Sequence, residues 1–359
     1  HESSGLQLGR RSGSFIRNHR EQHMTLHTRR LGRTGLDVTE IGLGGYMFTG
    51  EFGVPQSEAE AILDLALTSG VNYVDTAQMY GFGEGEELVG RALQRHRGSA
   101  IHVGSKVGWL DRTVVRNLGD EAYRNEEALT RTIKHSLWLL RRDHVEILMV
   151  HEPDWDRWGL DPKTGDAPIM DVLESLKSEG VIGAIGMGSW DCDTIADLIE
   201  TGRFDCALVA GGYTLVDQPV RTRVLATAAA HDVGLIMGGT FLQGLLAVQQ
   251  RERMEQVQRL GEYGGRLTPT AVKRILAVYD LCDSTGISVT EMAIRFILND
   301  PAIHTIIPGA QKVQHLRENL VAAAKGPLPE DLTARIEAIS GLDAPPDGVA
   351  ACSDSISPA

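Results

Sequence analysis

The chain has 359 residues, and 35 Lys and Arg against 48 Asp and Glu give a formal net charge of −13. A field of that sign opposes nucleic acid and anionic membrane surfaces. No run approaches the roughly 18 consecutive apolar residues of a membrane span. The length accommodates either one barrel of roughly 250 residues with insertions or two ordinary domains. Cys192, Cys206, Cys282 and Cys352 are scattered, with neither a paired metal spacing nor a disulfide framework, which fits a reducing cytoplasm.

Residues 1–23 are polar and basic without an apolar signal core, and read as an unstructured added leader with native sequence starting near Met24. From residue 36, strand-like runs alternate with helical ones, the pattern of βα units. DVTEIGLGGYMF (37–48) predicts the first strand and a glycine-rich loop, and SEAEAILDLALTSG (57–70) a helix ending at Gly70. VNYVDT (71–76) pairs with the helix EELVGRALQRH (86–96), IHVGSK (101–106) with NEEALTRTIKHSLWLL (125–140), and VEILMVH (145–151) with MDVLESLKSEG (170–180). VIGAIGM (181–187), FDCALVA (204–210) and LIMGG (235–239) continue the strands. The rhythm breaks at 241–267, a stretch long enough for a lid or insertion, and returns with helices from 268 and 290, the strand IHTIIPG (303–309) and the helix QKVQHLRENLVAAA (311–324). The Asp, Trp, Pro and Gly cluster at 152–168 is no domain boundary, because the βα rhythm continues on both sides. Residues 24–341 therefore read as a single (β/α)8 TIM barrel with a long loop or insertion after strand 7, and 342–359 as a flexible tail.

Three runs end on polar residues that a buried strand disfavours: Asp75 and Tyr80 after VNYV, Lys106 after AIHVGS, and His151 after VEILMV. In a parallel barrel these ends gather at the carboxyl mouth, where such folds build active sites. The chemistry is matched to carbonyl reduction or its reverse. Tyr80 supplies the proton if a cation lowers its phenol from near 10, Lys106 is that cation, Asp75 holds the ammonium, and His151 orients the carbonyl oxygen. The alternative is a structural Asp75–Lys106 ion pair under a loop with Tyr80 as a packed aromatic.

LGRTGLDVTEIGLGG, YVDTAQMYGFGEGEELVGRAL, SKVG, LMVHEPD, GVIGAIGMGS and IIPGAQKVQHLRENL, spanning about residues 29–325 in order, resemble the successive motifs of the aldo-keto reductases. The resemblance implies a nicotinamide-dependent barrel, usually preferring NADP, with catalytic roles on Asp75, Tyr80, Lys106 and His151. It also implies cofactor contacts at Gly45, Tyr46, Asp75 and Ser189, at Gly239, Thr240, Phe241, Leu242 and Gly244, and at Gly309, Ala310, Gln311, Lys312, His315 and Asn319. Within the family, AGGYTLVDQ (210–218) and GGTFLQGLLA (238–247) resemble the aldose and fucose 1-dehydrogenase branch. Gly188 and Ser189 stand where many members carry Ser-Asn, and Gly238 where many carry Tyr.

Residues 309–312 enter a helix whose free N–H groups suit phosphate. Gln311 and His315 stand where relatives often carry Arg, which weakens a 2′-phosphate site, while Lys312 keeps one plausible. NADP is expected narrowly over NAD. GFGEG (81–85) has GxGxG spacing and is not a dinucleotide fingerprint, and no metal-ligand spacing is present, so no metal is expected.

For the substrate, Tyr46, Tyr80, Trp109, His151 and Trp155 are the expected pocket, with Trp158 as a further aromatic and Trp109 favoured; at least one tryptophan is expected to pack a loop base instead. The leading expectation is oxidation of an aldose at C1 to a lactone. The alternatives are reduction of small aldehydes or ketones by the same residues, and a cofactor-sensing module with little turnover. A small carbonyl or sugar is the expected partner, with no nucleic acid and no membrane; monomer and homo-oligomer both stay open.

Overall fold

In the computed structural model, residues 25–341 are described, apart from 111 and 266. The readings of a leader at 1–23, of a start near Met24, of Cys352 and of a tail at 342–359 fall outside the described residues.

Eight parallel strands follow one another in space as in sequence: β3 (Leu43–Gly44), β4 (Tyr73–Asp75), β5 (His102–Val107), β6 (Val145–His151), β7 (Ile182–Ser189), β8 (Cys206–Ala210), β9 (Gly234–Gly238) and β10 (Thr305–Ile306). Parallel bridges Ile41↔Ile306 and Gly44↔Gly309 join the last strand to the first and close the barrel. Among the described residues they leave the eight-stranded sheet no free edge, the arrangement a (β/α)8 fold requires.

The first predicted strand is divided. Residues Asp37–Thr39 (β2) pair antiparallel with Thr28–Arg30 (β1), and only the following residues enter the barrel. The reason is packing. Leu31 and Val38 are buried in one cluster with the barrel interior, including Tyr73, Ile147, Met149, Cys206 and Ile236. Arg33 N donates to Asp232 O at 2.6 Å just before β9, so the hairpin seals the amino-terminal end.

Strand alternation does the rest. In β6, Ile147 and Met149 face the interior cluster while Leu148 and Val150 face the helices, which puts His151 in the inward row at the mouth. The inward row of β5 is Gly104 then Lys106, and that of β4 is Tyr73 then Asp75. Register sets Asp75 beside Gly104, Lys106 beside Met149, and His151 beside Gly188. Glycines provide the room: a Cβ at Gly104 would lie 2.3 Å from Tyr73 Oη, and one at Gly186 would lie 2.9 Å from both Cys206 Sγ and Met149 Cγ.

The segment after β9 is an insertion pinned to the barrel's side. It holds the helix Arg251–Leu260, where Met254 is buried, and it leads to the helix Pro269–Thr285. Arg251 pairs with Asp280 and Asp283, both at 2.8 Å, and Tyr279 Oη donates to Leu245 O at 2.6 Å. The helix Glu330–Ser340, after the last predicted helix, buries Leu332 and Ile336.

Candidate active site

Lys106 is the centre of the mouth. Its ammonium donates to Asp75 Oδ1 at 2.5 Å, to the Thr76 carbonyl at 2.9 Å and to Tyr80 Oη at 3.0 Å. An ammonium has three hydrogens, so all three are committed. Asp75 and Lys106 are 1% and 2% exposed, and the Lys106 stem passes a would-be Cβ of Gly188 at 3.7 Å.

Tyr80 reaches this ion pair because the chain turns sharply after β4. Gly81, Phe82 and Gly83 all have positive φ, at 59°, 53° and 99°. Two of the three are glycines, which enter that region at little steric cost. The helix Glu84–Arg95 starts directly afterwards. The His151 ring lies perpendicular to that of Tyr80 with centroids 6.2 Å apart, and Tyr46 stacks obliquely on Tyr80 at 5.1 Å. The four expected catalytic side chains thus share one end of the barrel.

Electrostatics corrects one expectation. The phenol of Tyr80 is not lowered: burial pushes it up to about 12, overriding the downward pull of Lys106. Burial likewise lowers His151 to about 3, with Lys106 adding to the effect, so its ring is neutral. Burial raises Asp75 against the pull of Lys106, while Lys106, which burial alone would lower, is held above its usual value by Asp75 and Tyr80.

The remaining expected residues lie at the same end. Gly45 and Tyr46 follow β3, and Gly45 N donates to Asp75 O at 2.8 Å. Ser189 ends β7, but its hydroxyl donates to Glu152 Oε2 at 3.0 Å. Gly239, Thr240, Phe241, Leu242 and Gly244 form a turn after β9, with Leu242 at φ 46°. Gly309, Ala310, Gln311 and Lys312 follow β10, and His315 and Asn319 lie on the helix Val313–Ala324. Of the tryptophans, Trp109 is 41% exposed after β5, whereas Trp158 is fully buried against Tyr123. Trp155 opens the short helix Trp155–Trp158 and is partly buried against the core.

Sequence reasoning missed three carboxylates. Glu152 directly follows His151 at φ 48°, with burial raising its carboxyl. Glu86 is buried behind β5, accepts from Ser105 Oγ at 2.5 Å and is pushed by burial up to about 7. Glu58, in the first turn of the helix Gln56–Thr68, accepts from Val313 N at 2.7 Å. Glu152 was legible as a charge beside a strand end; the other two sit at helical positions that read as solvated.

Glu58 also borders a cavity of about 330 Å³ lined by residues 52–55, Gln311 and Lys312. Phe52 packs edge-on to Tyr46 at 4.7 Å, so an aromatic row runs from this cavity to Tyr80. Thr240 Oγ1, Asn319 Nδ2, Thr76 Oγ1 and Asp75 Oδ2 are buried without a hydrogen-bond partner. Such groups are costly unless something satisfies them. Their positions around the mouth and on the helix Val313–Ala324 fit an elongated polar ligand such as a nicotinamide nucleotide. Among the described residues no group of three or more His, Cys, Asp or Glu side chains is placed to hold a metal, and no helix is long and apolar enough to cross a membrane.

The aldo/keto reductase family model matches residues 40–340. The D-threo-aldose 1-dehydrogenase of a Pseudomonas species is 29% identical over 307 residues, covering 81% of this chain and 91% of its own. The NADH-specific methylglyoxal reductase of Escherichia coli strain K12 is 28% identical over 312 residues, covering 81% and 90%. The holo form of an aldo-keto reductase from Bacillus halodurans shares the fold with a TM-score of 0.71 at 22% identity, over 88% of this chain and 96% of that one. A family match running from the end of the hairpin to the last helix, on a closed barrel of eight parallel strands, makes the chain a member of the aldo/keto reductase family and an oxidoreductase dependent on a nicotinamide nucleotide.

Proposed function

We propose that the protein oxidises an aldose at C1 to a lactone. A nicotinamide nucleotide, when bound, would supply the acceptor for the hydride that leaves C1. Tyr80 handles the hydroxyl proton at Oη, the only hydroxyl among the described residues that the saturated Lys106 ammonium touches. That contact is the observation carrying the reading. Because Lys106 fills one side of Oη, the other side is left for a substrate oxygen. In oxidation the phenolate form takes the C1 hydroxyl proton, and the neighbouring ammonium stabilises that phenolate. His151, neutral, donates a hydrogen bond to the same oxygen and fixes its approach. The exposed faces of Trp109 and Tyr46 offer stacking surfaces for a sugar ring, and the Glu152 carboxylate offers an acceptor for its hydroxyls. The name of the Pseudomonas relative supports the substrate class.

Reduction of small aldehydes is the second reading, favoured by one observation: a phenol at about 12 is held protonated at neutral pH and so is poised as a donor. The E. coli relative, by its name a methylglyoxal reductase, fits that direction. Lys312 is the residue that speaks for NADP. Assays with NAD and NADP against a panel of aldoses and simple aldehydes separate the readings. Lactone formation with nucleotide reduction is expected. Aldehyde reduction without sugar oxidation would transfer the assignment to the second reading, and nucleotide binding without either reaction would leave a sensing module.

A further inference from the structure

We infer that Glu58 makes this protein select NAD over NADP, a step that rests on the proposed passage of the cofactor's adenosine end along residues 309–319. The helix Val313–Ala324 begins without a side-chain cap from its own N-cap residue, Lys312. Its first N–H is instead taken by Glu58 Oε1 at 2.7 Å, from a helix 255 residues earlier. The place at which a helix N-terminus would receive an anion is therefore filled by one of the protein's own carboxylates.

The second oxygen of that carboxylate is uncommitted: Glu58 Oε2 makes no hydrogen bond or ion pair among the described residues. The residue borders the 330 Å³ cavity between the 52–55 segment and Gln311–Lys312. On the same helix, Asn319 is 1% exposed with Nδ2 unpartnered, a buried donor that a ligand along this face would satisfy. A ribose 2′-hydroxyl reaching Oε2 donates a hydrogen bond, the interaction by which acidic residues recognise NAD. A 2′-phosphate at the same point brings negative charge against a fixed carboxylate. Lys312 offers an opposing charge, but it is exposed on a flexible stem, whereas Glu58 is held by Val313 N. No arginine fork stands at 311 or 315 to outweigh it. This reverses the narrow preference for NADP expected from Lys312 alone.

The test is titration of NAD and NADP into the full-length protein, wild type, Glu58→Gln and Lys312→Glu, with thermal melts of each. Gln keeps an oxygen for Val313 N, removes the charge, and puts an amide NH2 in place of Oε2, which can donate to the 2′-hydroxyl oxygen in exchange for the lost acceptor. Wild type is expected to bind NAD at least tenfold more tightly than NADP. Glu58→Gln is expected to tighten NADP by about tenfold, with NAD within threefold and the melting temperature nearly unchanged. Lys312→Glu is expected to weaken both nucleotides, NADP more. If Lys312→Glu alters affinity but Glu58→Gln leaves the NAD to NADP ratio unchanged, the role of Glu58 is overturned while the cofactor's placement stands. If neither substitution affects either nucleotide, the placement itself fails and the inference with it. A wild-type preference for NADP, or equal losses of both nucleotides with a collapsed melt in Glu58→Gln, would reduce Glu58 to a helix cap and overturn the inference.

Discussion

Tyr80 and Lys106 divide the proton chemistry unequally. Burial holds the phenol up to about 12, so at neutral pH the ammonium faces a protonated oxygen. Oxidation needs the phenolate, whose fraction grows tenfold for each pH unit below that value. The rate of the hydride step in oxidation should therefore climb with a slope near 1 from about pH 7 to about pH 10, while reduction stays flat over that range. Single-turnover rates in both directions check this, and a flat oxidation profile would contradict it. Glu86 titrates elsewhere. Buried, with one oxygen bonded by Ser105, it is raised from 4.5 to about 7 because burial outweighs that bond. A raised folded-state pKa means the protonated form is favoured on folding. Its contribution is full below pH 4.5 and is lost as pH rises to about 7, a change of about 3 kcal/mol. Glu86→Gln should gain that much relative to wild type across this window, whatever constant offset the amide introduces. Denaturant titrations at a series of pH values measure it, and parallel curves for the two proteins would refute it.

At the scale of elements, a single alternation carries the site. Runs such as VEILMVH declare two faces, and the register then carries Asp75, Lys106 and His151 to one rim. That much was legible, because parallel strands announce themselves as apolar runs and their polar ends stand out. The hairpin was not, since TRR and DVT are too short to show a period and DVT runs straight into the first barrel strand. The contact of Glu58 was not, because its partner lies 255 residues away. Nor was the direction of the Tyr80 shift, which depends on how deeply the folded chain buries it. Gly104 tests the packing that alternation creates. A methyl group there meets Tyr73 Oη at 2.3 Å, and overpacking of this kind costs about 1–3 kcal/mol. Gly104→Ala should lose that amount in chemical denaturation; a wild-type midpoint would show that the inward row is looser than the structure implies.

Across the whole molecule the two ends of the barrel do different work. The amino-terminal end is sealed by the hairpin, with Leu31 fully buried among interior residues, and the carboxyl end holds the ion pair and the cavity. Removing most of a buried leucine costs about 2–5 kcal/mol. Leu31→Ala should therefore lower the melting temperature while turnover per folded molecule stays near wild type, and a proportional loss of turnover would deny the separation. The central claim concerns the other end, that Tyr80 Oη is the atom through which the proton passes. Tyr80→Phe removes that oxygen and leaves the Asp75–Lys106 pair in place. The most direct measurement is single-turnover hydride transfer in Tyr80→Phe beside its nucleotide affinity. The account predicts a rate lower by two or more orders of magnitude with affinity within about twofold, and a wild-type rate would contradict it.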